Sequence, residues 1–335
     1  MILVTGATGR LGSQVVRMIR SAGLDVRCLV RKGSEYFWLN DTGAAYFFGD
    51  LRDPTSLSRA MNGVQYVVAA HGVRVESTDN DHKRVNVEGG LALWDAARAR
   101  GVEHVVHVSC AGVEAEGDTP AFSSKRAAED GLIASGLSYT ILRPGLFVQN
   151  FADLARRVET NGNVFLPGSP ETLVNPVHAR DLALMAMASL DLPATKNRVI
   201  RVGGPETMTV SDAFSRMCRV NGLPETRWNV PPAGMRALAA LARPLGRRWA
   251  NHARALAVHF GHPSNVNGEE MAALFGIPLT PYDEAAATAF SDRHPSEDPT
   301  AREEKVVHRQ FTATVYEPGV IQWDDLPAGP PPRRD

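Results

Sequence analysis

The chain has 335 residues, of which 44% are hydrophobic, and its formal net charge is -1. This length fits one two-lobed globular unit with a sizeable core, and the near-neutral charge gives no electrostatic footprint for nucleic acid. Three widely spaced cysteines, Cys28, Cys110 and Cys218, form no metal-ligand pattern and favour a reducing compartment over a disulfide framework.

No run of about twenty apolar residues is present, so the sequence predicts no transmembrane segment. The first four residues lead directly into a glycine-rich loop and leave no room for the charged and apolar regions of a signal peptide. We therefore expect a cytoplasmic protein.

Short apolar runs alternate with helix-length segments as far as Gly204. The runs are continuous and rich in β-branched and aromatic residues, which is typical of parallel strands buried on both faces. Strands are predicted at residues 2–5, 26–30, 45–48, 66–70, 104–109, 139–143 and 198–202. Helices are predicted at 11–22, 86–100 and 124–135, with Gly23, Gly101 and Gly136 at their carboxyl ends. Repeated strand–helix–strand units predict an α/β fold with a doubly wound parallel sheet.

The pattern becomes mostly helical after Gly204, over residues 209–289. We expect a larger α/β domain formed by residues 1–150 and 172–205, and a smaller, mostly helical substrate or partner lobe formed by residues 151–171 and 206–290. Residues 291–335 are a charged, proline-rich tail that we expect to be partly disordered, with a short strand at 311–316. The tail is either a solvated extension or an extended peptide that docks on a partner.

A glycine-rich loop, Gly6-Ala7-Thr8-Gly9-Arg10-Leu11-Gly12, follows the first strand and opens the first helix. Gly6 permits a tight exit from the strand, Gly9 lets the backbone approach a pyrophosphate, and Gly12 lets the helix pack on the strand. The helix amino terminus offers unpaired N–H groups and a positive dipole end to phosphates. A generic strand-to-helix turn is the alternative, but the context predicts a dinucleotide-binding (Rossmann) domain.

The end of the second strand favours NADP(H) over NAD(H). An NAD site usually carries an acid there, whereas a basic residue accommodates a 2′-phosphate. Here Arg31 and Lys32 follow the strand and no acid occurs before Glu35. We expect Arg10 to join them, and a guanidinium suits both phosphate binding and stacking on adenine. The alternative is that Arg31 and Lys32 are solvated loop charges.

Five motifs, in order and spacing over about residues 1 to 205, resemble the atypical and extended short-chain dehydrogenase/reductase superfamily, specifically its NmrA-like branch. They are Thr5-Gly6-Ala7-Thr8-Gly9-Arg10-Leu11-Gly12, Gly49-Asp50-Leu51-Arg52-Asp53, Val85-Asn86-Val87-Glu88-Gly89, Leu142-Arg143-Pro144-Gly145 with Asn150, and Val177-His178-Ala179-Arg180-Asp181-Leu182-Ala183. The branch contains vinyl, quinone and isoflavone reductases, NADPH sensors, NADPH-binding subunits of respiratory complex I and a photosystem assembly factor. The resemblance therefore implies the cofactor more firmly than the reaction.

The resemblance implies a set of cofactor contacts along one edge of the sheet. Asp50 follows the third strand, where an acid caps the adenine amine, and Pro144 and Gly145 pass close to the nicotinamide carboxamide. The full predicted set is Gly6, Thr8, Gly9, Arg10, Leu11, Gly12, Arg31, Asp50, Leu51, Ala70, Lys125, Pro144 and Gly145.

Catalytic members of the superfamily use a serine at the end of the fifth strand and a Tyr-x-x-x-Lys motif on the next helix. Ser109 and Lys125 match two of these positions, but Ala121 stands where the tyrosine would be. Phe122 has no hydroxyl and lies one residue out of register. Lys125 is either a ribose ligand or an ordinary first-turn helix lysine, and Ser109 is either catalytic or a small residue that closes a crowded strand end.

Other candidate proton donors are less specific. His71 follows the fourth strand and has an ordinary pKa suited to acid–base work, but a polar loop histidine is the alternative. Cys110 is more typical of a small buried hydrophobe than of a redox centre, and His178 of a hydrogen-bonded turn. His252, His259 and His262 lack an acid at metal-ligand spacing, so no metal is predicted.

Residues 235–256 combine apolar residues at helical spacing with five arginines and no acid. This pattern is typical of a basic amphipathic segment on an anionic membrane or partner, and the alternative is a core-packed helix with a solvated basic face. The apolar residues are Leu238, Leu241, Leu245 and Trp249, and the arginines are Arg236, Arg243, Arg247, Arg248 and Arg254.

Three functional hypotheses follow. The first is an NADPH-dependent reductase of a small apolar or conjugated substrate with an atypical proton donor, since some relatives reduce carbon–carbon double bonds without the tyrosine. The second is a non-catalytic NADPH-binding structural or assembly subunit of a respiratory or photosynthetic complex. The third is a sensor of the NADPH/NADP ratio. The partner is accordingly a small molecule or a protein complex.

Overall fold

The computed structural model describes residues 1–114, 119–241, 247–292 and 294. Within these residues, seven parallel strands form one sheet in the order β3-β2-β1-β4-β5-β6-β9. They are β1 (Ile2–Thr5), β2 (Val26–Val30), β3 (Ala45–Phe48), β4 (Tyr66–Ala69), β5 (His104–Val108), β6 (Tyr139–Pro144) and β9 (Arg198–Val202). The strand order reverses between β1 and β4, and doubly wound sheets bind ligands beyond the carboxyl ends of the strands at this point.

Helices cover both faces of the sheet and make up most of the chain after it. In chain order they are α1 (Arg10–Ser21), α2 (Pro54–Ala60), α3 (Gly89–Ala99), α4 (Pro120–Ala134), α5 (Val148–Asn161), α6 (Ala179–Ala188), α7 (Val210–Val220), α8 (Pro232–Leu241), α9 (Arg247–Gly261), α10 (Gly268–Phe275) and α11 (Tyr282–Ser291). Short 3-10 turns occur at Phe37–Thr42 and Pro193–Thr195. This architecture confirms the predicted doubly wound fold with a mostly helical carboxyl-terminal part.

Two small sheets accompany the main one. The first pairs β7 (Val164–Pro167) with β11 (Arg227–Val230) in parallel, and the second pairs β8 (Leu173–Val174) with β10 (Met208–Thr209) in antiparallel orientation. Neither pair was predicted, and the two-residue strands β8 and β10 carry too little periodic signal to be recognised in a sequence.

The seven predicted strands are all present. Five of them are buried along their whole length or nearly so, as continuous apolar runs predict. The strands β4 and β5 end one residue earlier than predicted, and β6 continues to Pro144. Gly23, Gly101 and Gly136 follow the predicted helices with φ angles of 72°, 67° and 77°, which is the left-handed conformation that a glycine allows at a helix end.

The predicted helix at residues 86–100 differs from the structure at its amino-terminal end. A π-helical turn occupies Lys83–Glu88, and α3 starts at Gly89. A Cβ atom on Gly89 would lie 2.9 Å from the Cβ of Leu51, so the close packing at this point needs the glycine. The wider turn places Asn86 in the interior, where its Nδ2 donates to Ser124 Oγ at 2.9 Å. Periodicity alone does not reveal such a turn.

Three hydrophobic clusters make up the core. One lies between the sheet and α1 and α6, and another lies on the opposite face beneath α2, α3 and α4. The third joins α5, α7 and α11 and includes the buried side chains of Phe151, Phe214 and Tyr282. The chain beyond β6 therefore contributes a core of its own, while the predicted domain boundaries stay a prediction.

Among the described residues, none of the helices combines the length and the apolar character that crossing a bilayer requires. The predicted strand at 311–316 and the rest of the tail lie outside the described residues, apart from Ser291, Asp292 and His294.

Candidate functional site

The glycine-rich loop runs from β1 into α1 and is packed tightly against β4. Gly6 has a φ of 67°, and a Cβ atom there would lie 2.6 Å from the carbonyl oxygen of Ala70. A Cβ atom on Gly12 would lie 2.1 Å from the carbonyl oxygen of Gly6. No larger residue fits either position, so the geometry accounts for both glycines.

The amino terminus of α1 faces the crevice without a side-chain cap. Gly9 is the N-cap residue, it makes no side-chain cap hydrogen bond, and the first turn contains no acid. Arg10 turns towards α5, where its guanidinium donates to Asp153 Oδ1 and Oδ2 at 3.1 Å each. Thr8 and Leu11 are half-buried beside it. The first-turn N–H groups are thus positioned for an anion, while Arg10 is engaged by a carboxylate.

Arg31 and Lys32 are exposed at the end of β2, as predicted. Arg31 Nη1 donates to Asn80 Oδ1 at 3.1 Å, so Arg31 and Arg10 engage different partners in this structure rather than joining. Asp50 follows β3 and accepts two bonds from the guanidinium of Arg52, at 2.9 Å from Nε and 2.6 Å from Nη2, and one from its backbone N–H at 2.9 Å. The hydrogen bonds from Arg52 hold the pKa of Asp50 below its usual value, and the charge of Arg31 acts in the same direction.

An open depression of about 440 Å³ lies beside these residues. Its lining is entirely charged and consists of Asp50, Arg52, Asp53, Arg84 and Glu88. Leu51 packs between this depression and Gly89. The depression therefore includes Asp50, the residue that was predicted to contact the adenine amine.

Lys125 reaches from α4 to the carboxyl ends of β4 and β5. Its Nζ donates to the carbonyl oxygen of Val108 at 2.9 Å and to that of His71 at 3.1 Å. Burial of the ammonium lowers the pKa of Lys125 below its usual value. These contacts fix the ammonium at the strand ends, which is not the geometry of an ordinary solvated helix lysine.

His71 lies in the interior between β1 and α4. Its Nδ1 is 2.8 Å from the Oγ1 of Thr5, and the side chain is only 5% exposed. Burial, followed by the charge of Lys125, lowers the pKa of His71 to about 3. The imidazole is therefore neutral at physiological pH, and it belongs to the buried frame rather than to a polar loop.

Ser109 directly follows β5, and the surroundings of its hydroxyl are unusual. The Oγ atom is buried and has no hydrogen-bond partner among the described residues, although the backbone N–H donates to the carbonyl oxygen of Leu142 at 2.8 Å. Phe122, which follows Ala121, is 6% exposed, and its ring centroid lies 6.4 Å from that of His259 on α9. The site thus holds a serine hydroxyl and a lysine ammonium, with a phenyl ring near the position of the missing tyrosine.

Pro144 and Gly145 lie at the end of β6, next to Ser109 in the sheet order. The carbonyl oxygen of Pro144 accepts from the N–H of Ala111 at 2.7 Å. A Cβ atom on Gly145 would lie 2.4 Å from Ser264 Oγ, which brings the segment after α9 against this strand end. Together with Ala70, which contacts Gly6, these residues lie along one edge of the sheet, as predicted.

The other candidate residues, Cys110 and His178, lie in surroundings that suit a structural role. Burial raises the pKa of the Cys110 thiol to about 12, so the reactive thiolate is disfavoured. His178 is the N-cap of α6 and accepts from the N–H of Arg180, as a hydrogen-bonded turn residue would. In the part of the chain that the structure describes, no group of three or more His, Cys, Asp or Glu side chains could hold a metal ion.

Several contacts that shape the site connect distant parts of the sequence and were not predicted. Asn251 on α9 donates from Nδ2 to Glu76 Oε2 at 2.9 Å, and the other oxygen of Glu76 accepts from the N–H of His82 at 3.3 Å. The carboxylate of Glu129, which lies one helical turn after Lys125, accepts from Arg143 Nε at 3.0 Å. No local sequence pattern signals the bonds of Glu129 to Arg143 and of Asn251 to Glu76, because their partners are 14 and 175 residues apart.

Comparison with known proteins identifies the family. Residues 1–259 match the NmrA-like family. The chain belongs to the NmrA-like family. The resemblance to this family that the sequence motifs suggested is thus confirmed.

This NmrA-like chain has relatives of more than one kind. It is 31% identical over 226 residues to an NAD(P)H azoreductase of Xenophilus azovorans, covering 67% of this chain and 75% of that protein. It is also 31% identical over 214 residues to the photosystem II assembly factor Ycf39 of Trieres chinensis, covering 64% of this chain and 67% of that protein. Reductases and assembly factors therefore both occur among its relatives.

A solved structure of an NADPH-dependent quinone oxidoreductase from Escherichia coli, complexed with NADPH, shares the fold. The TM-score is 0.68 at 20% identity, over 87% of this chain and all of that one (100%). At this level of identity the similarity shows the fold.

Proposed function

We propose that this protein is an NADP(H)-dependent reductase that acts on a small apolar or conjugated substrate. The observation that carries the proposal is the position of the Lys125 ammonium, which is bonded to the carbonyl oxygens of His71 and Val108 beside the buried hydroxyl of Ser109. A lysine buried only for packing has no need to reach the ligand-binding edge of the sheet.

The residues present fit a dinucleotide. At Gly6 and Gly12 the backbone of the loop packs closely against neighbouring backbone atoms, so neither position has room for a side chain. The amino terminus of α1 lacks both a side-chain cap and an acid. These are the features that bind a pyrophosphate, because N–H groups and the helix dipole then face the anion. Gly6, Gly9 and Gly12 would hold the pyrophosphate, and Lys125 would hold the ribose next to the nicotinamide.

The proposed preference for NADP(H), which carries a 2′-phosphate, rests on the positive charge at the end of β2. Arg31 and Lys32 are exposed there, and Asp50, the nearest acid after β3, is already neutralised by Arg52. A carboxylate bound to a guanidinium repels a phosphate less than an isolated one does. Arg10 would add a third cation only by exchanging its contact with Asp153 for the phosphate.

The bound cofactor would supply the hydride, and the chain's own residues would orient the reactants. Lys125 retains one N–H donor beyond the two that it gives to the backbone carbonyls, and that donor suits a ribose hydroxyl. The Ser109 hydroxyl, which has no partner among the described residues, would donate to a polar atom of the substrate. His71 stays neutral, so the proton that completes the reduction would come from solvent or from the substrate itself.

A second candidate function is a non-catalytic, NADP(H)-binding assembly subunit. The specific observation in its favour is the pair Ala121 and Phe122, which puts a buried phenyl ring near the place of a catalytic hydroxyl. The ring lies next to His259 of α9, so the helix after the sheet covers this part of the site. A relative named as an assembly factor adds to this alternative.

The cofactor proposal is tested by replacing Arg31 with aspartate. We expect Arg31→Asp to weaken NADPH binding about 100-fold, since a phosphate contact is lost and a repulsive charge is gained, while NADH binding changes less than about threefold. Arg98→Asp on α3 is the matched control, because Arg98 is also exposed and lies away from the sheet edge. Titration of nicotinamide fluorescence measures both affinities, and equal losses for NADPH and NADH would overturn the 2′-phosphate assignment.

The reaction is tested with purified protein, NADPH and a panel of quinones and azo dyes. We expect NADPH oxidation that depends on the acceptor, and we expect Lys125→Met to lower kcat/KM at least tenfold through weaker cofactor positioning. Tight NADPH binding without turnover on any acceptor, together with recovery of the protein in a larger complex, would instead support the assembly subunit.

A further inference from the structure

The helix α8 carries an exposed apolar face. Leu238 and Leu241 are 49% and 75% exposed, and Ala237 and Ala240 beside them are also exposed. The opposite face is attached to the protein, because Met235 is 6% exposed and Ala239 is fully buried. The helix thus packs through Met235 and Ala239 and leaves its two leucines exposed. An exposed apolar surface of this kind is available for a membrane or another molecule to cover.

The neighbouring helix extends this surface. α9 packs along α8, and its Trp249 is 48% exposed, whereas the adjacent Ala250 is buried. We call the exposed residues of α8 together with Trp249 the α8–α9 surface.

The chain around the α8–α9 surface is strongly basic. No Asp or Glu occurs between Glu225 and Glu269, whereas six arginines do. They are Arg227, Arg236, Arg243, Arg247, Arg248 and Arg254. The whole chain has a net charge of -1, so this segment concentrates positive charge that the rest of the molecule offsets. The partner of the surface is therefore expected to be anionic.

We propose that the α8–α9 surface docks on a lipid bilayer that contains anionic headgroups. The exposed leucines and alanines of α8 would enter the boundary between headgroups and acyl chains, Trp249 would lie at headgroup depth, and the positive charge of the segment would attract the lipid phosphates. A lipid surface fits better than a protein, because the described exposed side chains of α8 are those of leucine and alanine, whereas protein interfaces combine aromatic anchors with a polar rim of hydrogen bonds.

The surface lies next to the candidate site. The side chain of Asn251, on the same helix as Trp249, bonds to Glu76 in the segment that follows β4, and His259 lies against Phe122. Docking would therefore hold the covering helix of the site against the bilayer. The inference does not depend on the reaction, because binding to lipid needs neither cofactor nor turnover.

The test is sedimentation of the full chain with vesicles of phosphatidylcholine alone and of phosphatidylcholine with phosphatidylglycerol. We expect binding only to the anionic vesicles, with a loss in 0.5 M salt caused by screening of the arginines, a concentration of the order at which the Debye length falls to a few ångströms. Leu238→Glu should weaken binding at least about tenfold, because it removes buried apolar area and adds repulsion. Ile133→Glu on α4 is the matched control, since Ile133 is 45% exposed, and it should bind as the unmodified chain does.

Three outcomes would overturn the proposal. The first is an absence of binding to anionic vesicles, with folding verified by circular dichroism. The second is equal binding by the Leu238→Glu and Ile133→Glu variants, which would assign the interaction to another surface. The third is binding to polyglutamate but not to vesicles, with loss on Leu238→Glu, which would show that the partner is an acidic protein.

Discussion

The carboxyl edge of the main sheet and the α8–α9 surface are neighbours with opposite construction. At the sheet edge, the buried ammonium of Lys125 is bonded to backbone carbonyl oxygens. The glycines there allow close contact between backbone segments. On the α8–α9 surface, apolar side chains point outward and Leu241 is 75% exposed. The difference matches the two proposals, in which the first region holds a small ligand in fixed geometry and the second meets a large, deformable partner.

The largest effect is expected when a single methyl group is added at the sheet edge. Gly12→Ala would place a Cβ atom 2.1 Å from the carbonyl oxygen of Gly6, so the glycine loop must move. We expect loss of NADPH binding of more than about 100-fold and a decrease of about 2–4 kcal/mol in the free energy of unfolding. Calorimetric titration and urea unfolding measure the two effects.

Gly9→Ala provides the matched comparison. Its Cβ atom would lie 3.3 Å from the same carbonyl oxygen, a contact that small shifts relieve. We expect near-normal stability with binding weakened about tenfold, because the methyl group would stand where the pyrophosphate approaches. If Gly12→Ala bound NADPH normally, the loop would not be the binding element.

The buried ion pair beneath Lys125 is expected to give the next largest effect. Glu129 is fully buried and accepts from Arg143, whose side chain is 15% exposed. Glu129→Gln leaves the guanidinium without its main counter-charge, so we expect a loss of about 3 kcal/mol in the free energy of unfolding, measured in urea. Asp130→Asn is the control, because Asp130 is exposed and its loss should cost under about 0.5 kcal/mol. Similar losses in the two variants would contradict a buried frame at this edge.

The two regions also differ in how far their structure follows from the sequence. The glycine loop, the strands and the arrangement of Ser109 and Lys125 at one edge were predictable, because a parallel α/β sheet aligns all carboxyl strand ends. The contact of Arg10 with Asp153 was not, since the partner comes from a helix whose approach depends on tertiary packing. The apolar and basic residues of α8 and α9 were visible in the sequence, but only burial distinguishes a core-packed face from an exposed one.

A pH-dependent effect would report on the buried histidine at the sheet edge. The pKa of His71 is about 3 in the folded chain, against about 6.5 when unfolded. Between these values the unfolded chain binds a proton that the folded chain does not, so stability falls as pH decreases through this window. The contribution approaches about 1.4 kcal/mol per pH unit.

The change that isolates this contribution is His71→Asn. We expect a shallower dependence of the free energy of unfolding on pH between 6 and 4, measured in urea at each pH. Thr5→Val removes the hydroxyl partner of the imidazole but keeps the buried histidine, so it should keep the slope of the unmodified chain. An unchanged slope in His71→Asn would mean that the imidazole is solvated.

The smallest effect is expected where the two regions meet. Asn251→Ala removes the bond from α9 to Glu76, which links the helix of the α8–α9 surface to the segment after β4. A single hydrogen bond of this kind contributes about 1 kcal/mol, so global stability should change little. We instead expect faster amide hydrogen exchange in α9 with unchanged exchange in the main sheet, because local opening needs less free energy than global unfolding. Asn221→Ala is the control, since among the described residues the side chain of Asn221 bonds to Met217 in the helix that it caps. Equal exchange in α9 for both variants would show that Glu76 does not hold this helix over the site, and that the sheet edge and the α8–α9 surface move independently.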